Sequence, residues 1–301
     1  MDVNNMFGSR DIRLWILDKM RIIPDVPMLK MEYRLKIGKP LHLNPPHTFN
    51  EKLQWLKIHD RKPIYTQMAD KYGVREIVKK KIGEEYLVPI IGCWNSVDDI
   101  PFDSFPNKFV LKCTHDSGSV IICRDKERFD IDDAKRKLNK RLRINPFWWA
   151  REWPYKNIKP RIIAEHFLKD RDNEFLPVYK FFCFNGEPKI IQQIQNDKQP
   201  NETVDYFDIE WNRINMIQRF PNSTIPIERP KELEEMVTIA KKLSKGTSFL
   251  RVDLYVINGD VLFSEHTFYT DAGFSVFEPE NEQWDQKLGA WIDLSLVDSN
   301  N

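Results

Sequence analysis

The sequence lacks the short motifs by which many nucleotide-binding and hydrolytic enzymes are recognised. It contains no G-x-x-x-x-G-K-[ST] phosphate loop, no G-x-G-x-x-G dinucleotide turn, no H-E-x-x-H zinc helix and no G-x-S-x-G nucleophile elbow. The six histidines are scattered without the spacing of metal ligands. These absences argue against P-loop hydrolases, Rossmann dehydrogenases, zinc proteases and serine hydrolases.

Paired cysteines and an excess of one charge are absent as well. None of the four cysteines belongs to a C-x-x-C pair, which argues against zinc ribbons and redox motifs. The 46 basic and 45 acidic residues leave a formal net charge of +1. Because this balance gives no general attraction for polyanions, we expect no nucleic-acid partner.

Long apolar runs are missing too. No segment approaches the roughly 18 consecutive apolar residues of a membrane-spanning helix, and the first 20 residues carry charges throughout. We therefore expect no integral membrane segment and a cytoplasmic location. The length of 301 residues and the apolar content of 41% allow two subdomains around a substantial core. The sequence does not indicate an oligomeric state.

Predicted helices come first along the chain and predicted strands follow. Residues 10–60 read as mainly helical, with Thr48 or Asn50 as an N-cap, and a further helix is predicted over 66–83, ending near Gly83. The other predicted helices cover 130–142, 229–246 and 285–296, and the predicted strands cover 108–113, 119–123, 161–168, 178–184, 189–194 and 251–268. The expected fold is α+β, with a helical region (1–60) and two α+β subdomains (61–160 and 161–296).

The stretch RVDLYVINGDVLFSEHTF (residues 251–268) reads as a hairpin with charges inside its strands. Period-two alternation puts Arg251 and Asp253 on one face, and Glu265 lies on the second strand. A three-residue loop over 258–260 places Asp253 opposite Glu265, whereas a two-residue Asn258-Gly259 turn places the carboxylates on opposite faces. The sequence leaves both registers open. Side by side, the carboxylates either face solvent at the edge of the sheet or bind a cation such as Mg²⁺, which oxygen ligands hold and which bridges nucleotide phosphates.

Other charged residues stand at unexpected strand positions. Lys112 ends an apolar strand and precedes the polar turn CTHDSGS, which is either an ordinary hairpin turn or a phosphate cradle. Glu165 ends the strand RIIAE, and Lys180 lies inside VYKFFCF, where a buried lysine requires an anion.

The order of these segments resembles the TupA-like ATP-grasp family, which is named for teichuronopeptide synthesis and is common in bacterial capsule and O-antigen gene clusters. The resemblance runs from about residue 34 to 294. It is carried by FNEKLQWLK, ADKYGVREIV, IGEEYLVPIIG, NKFVLKCTHDSGSVII, YKNIKPRIIAEHFL, YKFFCFNGEPKII and RVDLYVINGDVLFSEHTFYTDAGF. It implies an ATP-grasp fold, in which two α+β subdomains clasp the nucleotide.

The resemblance also implies roles for individual residues. The predicted catalytic residues are Arg251, which stabilises charge on the transferring phosphoryl group, and Lys112. The implied ATP contacts comprise two phosphate-binding lysines, a flexible loop, a hinge strand for adenine and ribose, and one further lysine; they are Lys71, Lys112, His115, Ser117, Gly118, Ser119, Glu165, His166, Phe167, Leu168 and Lys180. The implied Mg²⁺ ligands are Asp253, Glu265 and Thr267.

The chain departs from the family pattern at two places. Asp116 stands where relatives often have glycine, and its charge would lie beside the phosphates. Thr270-Asp271 stands where relatives often have Pro-Gly, and Asp271 is either an extra metal ligand or part of the acceptor pocket.

The sequence thus predicts an ATP- and Mg²⁺-dependent carboxylate–amine ligase that forms an amide through an acyl phosphate. The resemblance suggests a carboxylate-bearing sugar (a uronic acid) or an amino acid of a bacterial surface polysaccharide as one partner and an amine as the other. Two alternatives remain. One is a glycosyltransferase using DID at 130–132 as a D-x-D metal motif. The other is a non-catalytic ATP-binding relative.

Overall fold

A computed structural model describes residues 20–171, 175–279 and 281–297. The helix predicted before residue 20 lies outside these spans. Within them, no helix has the length and apolar character needed to cross a bilayer.

Four of the described helices precede the first strand, three lie between strands, and one follows the last strand. They are α1 Asp25–Ile37, α2 Phe49–His59, α3 Ile64–Ala69, α4 Val74–Lys81, α5 Ile131–Leu142, α6 Phe147–Ala150, α7 Leu233–Ser244 and α8 Asn281–Trp291. Short 3₁₀ turns connect several of them.

The described strands form two antiparallel sheets. The strands are β1 Ile90–Trp94, β2 Phe109–Cys113, β3 Ile121–Cys123, β4 Ile162–His166, β5 Val178–Phe184, β6 Glu187–Gln195, β7 Thr203–Phe207, β8 Arg213–Ile214, β9 Phe249–Ile257 and β10 Asp260–Thr267. The smaller sheet has the order β1-β4-β2-β3 and the larger one the order β10-β9-β5-β6-β7-β8. The predicted α+β class is confirmed.

Each sheet has its own apolar core. One cluster packs the larger sheet against α2, α3, α7 and α8, with Phe49, Phe181 and Leu243 fully buried in it. A second packs the smaller sheet against α5 and the 97–105 segment, around Phe109 and Leu138. Most of the predicted strands are present, and β5 and β6 are joined by a tight turn at Asn185-Gly186.

The predicted N-cap at Thr48 is confirmed. Its hydroxyl accepts from the Glu51 backbone N–H at 3.3 Å, and the Glu51 carboxylate accepts from the Thr48 N–H at 3.2 Å. These two bonds form a capping box, which satisfies two N–H groups that the helix itself leaves unpaired. Helix α2 is thereby fixed at its start.

The single helix predicted over 66–83 is wrong, because the chain breaks between α3 and α4. Asp70 leaves the helix to bind Arg161 (Oδ2–Nη2 2.5 Å), and the Lys71 N–H donates to the Thr114 carbonyl at 3.0 Å. Tertiary contacts have overridden a sequence that is compatible with continuous helix. The break places Lys71 beside the end of β2.

One segment ties the two sheets together. The Phe263 N–H of β10 donates to the Tyr86 carbonyl at 2.7 Å, and the His166 N–H of β4 donates to the Pro89 carbonyl at 3.0 Å. The same segment then continues as β1, which pairs with β4. The predicted boundary between the subdomains 61–160 and 161–296 stays a prediction. Strand β4 follows this boundary in the sequence but belongs to the smaller sheet, together with β1–β3.

Candidate active site

The carboxylates of Asp253 and Glu265 lie opposite each other in the hairpin. The observed register differs from both predicted ones. The turn has two residues, Asn258 (φ 54°) and Gly259 (φ 92°), and Asp260 pairs with Ile257. Continued regularly, this register would put Glu265 on the face opposite to Asp253. A β-bulge between Phe263 and Glu265 inserts one extra residue, so that Glu265 pairs directly with Asp253.

Arg251 holds this carboxylate pair in place. Its Nε and Nη2 donate to the two Asp253 oxygens, each at 2.7 Å, in a bidentate pair. Nη2 also donates to Thr267 Oγ1 at 3.0 Å and lies 3.9 Å from Glu265 Oε1. Nη1 donates to Thr270 Oγ1 at 3.1 Å. Oxygens of both carboxylates therefore lie near one nitrogen atom, and the guanidinium joins the end of β10 to the turn after it.

Two lysines complete the charge balance. Lys180 Nζ lies 3.9 Å from Asp253 Oδ2, and Lys71 Nζ lies 3.8 Å from Glu265 Oε2. Burial would raise the pKa of Glu265, but the cations Lys71, Arg251, Lys180 and Lys112 bring it below its ordinary value. Burial and the neighbouring Arg251 lower the pKa of Lys180. Asp253 and Glu265 are thus surrounded by cationic side chains that can also bind a negatively charged ligand.

A polar row crosses the larger sheet at this level. Successive cross-strand pairs join the five side chains Glu265, Asp253, Lys180, Gln192 and Tyr206. Directly opposed residues share a face of an antiparallel sheet. The lysine that the sequence marked as anomalous therefore lies in the same row as the acids.

Lys112 and Glu165 form an ion pair on neighbouring strands of the smaller sheet, with Nζ and Oε2 2.5 Å apart. Burial would lower the pKa of Lys112, but Glu165 and other nearby groups raise it above its ordinary value. Lys112 therefore stays charged. Both residues were predicted nucleotide contacts, and the structure brings them together.

The predicted phosphate loop divides into an inward and an outward part. The His115 side chain is buried, with Nε2 3.1 Å from the Ile144 carbonyl. Ser119 is buried as well, and its hydroxyl accepts from the Cys113 N–H at 2.8 Å. Ser117 and Gly118 (φ 86°) are exposed at the tip. Only the tip offers free surface to a ligand; the other two side chains support the loop.

Asp116 is buried and neutralised within the loop. Its Oδ2 accepts from Arg141 Nε at 2.5 Å, and its Oδ1 accepts from the Ser119 hydroxyl at 2.5 Å. Lys71 Nζ donates to the Asp116 carbonyl, also at 2.5 Å. The carboxylate therefore braces the loop against α5, and the expected repulsion of phosphates is offset by Arg141.

The predicted hinge residues Phe167 and Leu168 border a cavity of about 450 Å³. The opposite wall comes from Tyr86, Leu87 and the hairpin end 257–262. His166, by contrast, is exposed. The Arg124 guanidinium carbon lies over the Phe167 ring, 5.2 Å from its centroid.

A buried polar stripe on α2 was missed by the sequence analysis. Gln54 Nε2 donates to the carbonyls of Ala272 (3.1 Å) and Gly273 (2.7 Å), and fully buried Lys57 donates to those of Ala150 and Ala272, both at 2.8 Å. Polar residues at positions 50, 54 and 57, on the same helix face as Leu53, were the available signal.

The stripe holds a turn of unusual backbone conformation. Asp271, Ala272 and Gly273 have φ values of 46°, 54° and 69° in succession. A Cβ at Gly273 would lie 2.6 Å from Gln54 Nε2, so glycine is required there. The preceding residue of the turn, Thr270, is the one that accepts from Arg251.

The donor set fits Mg²⁺ at the hairpin. Among the described residues no group of three His, Cys, Asp or Glu side chains could hold a metal. Mg²⁺ bound to nucleotides needs only one or two carboxylates, with phosphate and water completing the shell. Asp253 and Glu265 supply hard oxygen ligands, while the Thr267 hydroxyl accepts from Arg251.

Sequence comparison assigns the family. The model of the TupA-like ATP-grasp family matches residues 51–293. The chain belongs to this family. Membership confirms the predicted ATP-grasp fold. No curated protein matches the chain.

Among solved structures, a D-alanine–D-alanine ligase from Bacillus anthracis is 18% identical over 94% of this chain and 92% of its own, with a TM-score of 0.41. The ATP-grasp ligase PsnB is 8% identical over 72% of this chain and 58% of its own, at 0.39. N5-carboxyaminoimidazole synthetase from Staphylococcus aureus is 12% identical over 67% and 44%, at 0.37. This chain thus spans less than two thirds of the length of the last two. At such TM-scores the assignment rests on the family match.

Proposed function

We propose that this TupA-like ATP-grasp protein is a Mg²⁺-dependent carboxylate–amine ligase. The observation that carries the proposal is the hairpin site, where Asp253 and Glu265 face each other beneath Arg251 and between Lys71 and Lys180. Such an arrangement suits phosphoryl transfer, which depends mainly on positioning and charge neutralisation.

In the proposed first step, a substrate carboxylate oxygen attacks the γ-phosphorus of ATP. A C–O–P bond forms, the bond to the bridging oxygen breaks, and ADP leaves. In the second step the amine nitrogen attacks the carbonyl carbon, a C–N bond forms, inorganic phosphate leaves, and the nitrogen loses a proton. The products are an amide, ADP and phosphate.

The chain's own residues have distinct tasks in this scheme. Asp253 and Glu265 would hold Mg²⁺, which neutralises the phosphate charge when bound. Arg251 would stabilise the charge that develops on the transferring group. Lys112, Lys71 and the loop tip at Ser117-Gly118 would contact phosphates. Phe167 and Leu168 would border the adenine.

The two alternatives receive less support. In the glycosyltransferase alternative, DID at 130–132 must bind a metal, yet Asp130 caps α5, its Oδ1 accepting from the Asp133 N–H at 2.8 Å. The non-catalytic alternative depends on Asp116 and Asp271, and the charge of Asp116 is balanced by Arg141. We further propose a uronic acid or amino acid of a bacterial surface polysaccharide as the carboxylate.

A product assay tests the activity. The protein is incubated with ATP, Mg²⁺, uronic acids, sugar nucleotides and pooled amino acids and amines, and phosphate release and new masses are recorded. We expect ADP and an amide mass, both lost in Asp253→Asn. The appearance of masses that correspond to new glycosidic products would contradict the proposal. Binding of ATP without its consumption, with every acceptor in the assay and with the surface polysaccharide itself, would contradict it as well.

A further inference from the structure

Asp271 lies in a turn with left-handed backbone. Its φ of 46° lies in a region that glycine adopts freely and that aspartate tolerates better than most other residues. The next residue, Ala272, has a φ of 54° and lacks a polar side chain, so it stores more backbone strain.

The carboxylate is oriented by a chain of buried polar side chains. Gln218 Nε2 donates to Asp271 Oδ2 at 2.5 Å, and the Ser275 hydroxyl donates to the same oxygen at 3.2 Å. Gln218 Oε1 in turn accepts from the Tyr206 hydroxyl at 2.9 Å, which accepts from Gln192 Nε2 at 2.7 Å. Gln218, Tyr206 and Gln192 are all buried. The polar row of the larger sheet therefore ends on this one carboxylate.

The second Asp271 oxygen is held only loosely. Within residues 20–171, 175–279 and 281–297, the ion-pair partner of Oδ1 is Arg219 Nη1 at 3.6 Å, and the Arg219 side chain is 73% exposed. The Asp271 side chain itself is 28% exposed. An exposed guanidinium can be displaced by another cation, because exposed ion pairs contribute little stability.

Asp271 also has a defined position relative to Arg251. The guanidinium uses Nε and Nη2 for Asp253, Thr267 and Glu265, and it turns Nη1 toward Thr270, the neighbour of Asp271. Asp271 is one of the acids that raise the pKa of Arg251 against the effect of burial. Asp271 thus acts on the guanidinium electrostatically, next to the threonine that Nη1 contacts.

A carboxylate at this place suits the second substrate of an amide-forming reaction. Free amines are ammonium ions in neutral water, and they must approach an acyl phosphate that Arg251 binds. An anion outside the metal site can hold the ammonium without competing for Mg²⁺. We propose that Asp271 binds the ammonium group of the amine substrate, which releases one proton to solvent before the free amine attacks, with Gln218 and Ser275 as positioning residues. This inference rests on the proposed ligase function and adds to it the charge class of the acceptor.

The test compares a neutral with a cationic nucleophile. The protein receives ATP, Mg²⁺ and the carboxylate pool, and then either hydroxylamine, which is uncharged at mildly alkaline pH, or the cationic amines ethanolamine, putrescine and glycine. We expect Asp271→Asn to form hydroxamate like the wild type but to lose about 10- to 100-fold in kcat/KM for cationic amines, the value of one charge-assisted hydrogen bond. Equal losses with both nucleophiles would overturn the subsite.

Two further variants separate charge from folding. Asp271→Gly removes the carboxylate and relieves the left-handed backbone, so it should melt at or above the wild-type temperature and show the same selective loss. Asp208→Asn, in the β7–β8 turn where Asp208 accepts from Asn212, is the matched control and should behave as wild type with both nucleophiles.

A binding measurement keeps the subsite testable without turnover. With ADP and Mg²⁺ present, millimolar ethanolamine or putrescine should raise the melting temperature of the wild type and not that of Asp271→Gly. Equal shifts, or none in either protein, would count against the subsite. Absent hydroxamate together with absent ATP binding would instead contradict the ligase function itself.

Discussion

Arg251 is the residue on which most of the site geometry converges. Its guanidinium contacts Asp253 through two parallel bonds and reaches two threonine hydroxyls as well. A planar fork is required for this pattern, and an ammonium group cannot reproduce it. The identity of the residue, and not only its charge, is therefore expected to matter.

We expect Arg251→Lys to lower kcat/KM for the ligase reaction by about 10²- to 10³-fold, the usual effect of removing one preorganised donor at a developing charge. Steady-state phosphate release checks this. Arg213→Lys is the matched control, since Arg213 pairs with Asp205 in the same sheet outside the site. A similar loss in both variants would show that the effect is one of folding.

Several site residues could be predicted individually, because a charge inside an apolar strand is visible in the sequence. Lys112, Glu165, Lys180, Asp253 and Glu265 were identified in this way, and the structure groups them on the two sheets. Lys57 was not, since a lysine near a helix end reads as exposed. Its two carbonyl partners, 93 and 215 residues away, are set by tertiary structure alone.

At the scale of elements, the break between α3 and α4 determines where Lys71 lies. Asp70 draws the chain out of the helix by pairing with Arg161, and Asp70 Oδ1 accepts from the Tyr72 N–H at 3.2 Å. The sequence could not reveal this, because the partner Arg161 lies 91 residues away.

Asp70→Ala should weaken Mg·ATP binding about tenfold, because the segment can then continue as helix and carry Lys71 away from Asp116 and Glu265. Calorimetric titration with a non-hydrolysable ATP analogue measures the change, and exposed Asp99→Ala serves as the reference. If NMR chemical shifts show a continuous helix in Asp70→Ala and the affinity for the ATP analogue is unaltered, Lys71 does not bind phosphate.

Strand β10 carries an acid-sensitive group on its other face. His266 is buried against Phe263, with ring centroids 4.8 Å apart. Burial lowers the pKa of His266 to about 3. His266 in the unfolded chain therefore binds a proton at higher pH than it does in the folded protein. The free energy of unfolding is at its full value above the unfolded-state pKa of about 6.5, and it decreases as the pH falls below that value.

Between neutral pH and roughly pH 5 this residue should destabilise the wild type by about 2 kcal/mol. His266→Met, which has no titratable group and a similar volume, should lack this loss. Urea denaturation midpoints of both proteins at the two pH values decide the matter. Parallel decreases would mean that His266 is protonated in the folded state.

At the scale of the molecule, the candidate site draws on both sheets. Lys112 and Glu165 come from the smaller sheet, and Asp253 and Glu265, the proposed metal ligands, come from the larger one. Lys71 connects them by contacting the Asp116 carbonyl and Glu265. A nucleotide bound at all these groups would cross-link the two sheets.

Mg·ATP should therefore stabilise the whole chain. At 100 times Kd the gain is about 2.7 kcal/mol, or roughly 4 °C in Tm for a protein of this size. Differential scanning fluorimetry should show a smaller shift with ATP and EDTA. In Asp253→Asn the benefit of Mg²⁺ should disappear; a Mg²⁺ benefit of unchanged size would place the metal elsewhere.

The bulge in the β9–β10 hairpin gives the site a parity rule. Two turn residues plus one bulged residue bring Glu265 opposite Asp253, as three turn residues without a bulge would. Residues 254–264 lie between the two acids, and with this length the turn and the bulge must together contain an odd number of residues for the acids to pair. A slip of β10 by one residue against β9 would therefore separate the two carboxylates while leaving the hairpin itself hydrogen-bonded.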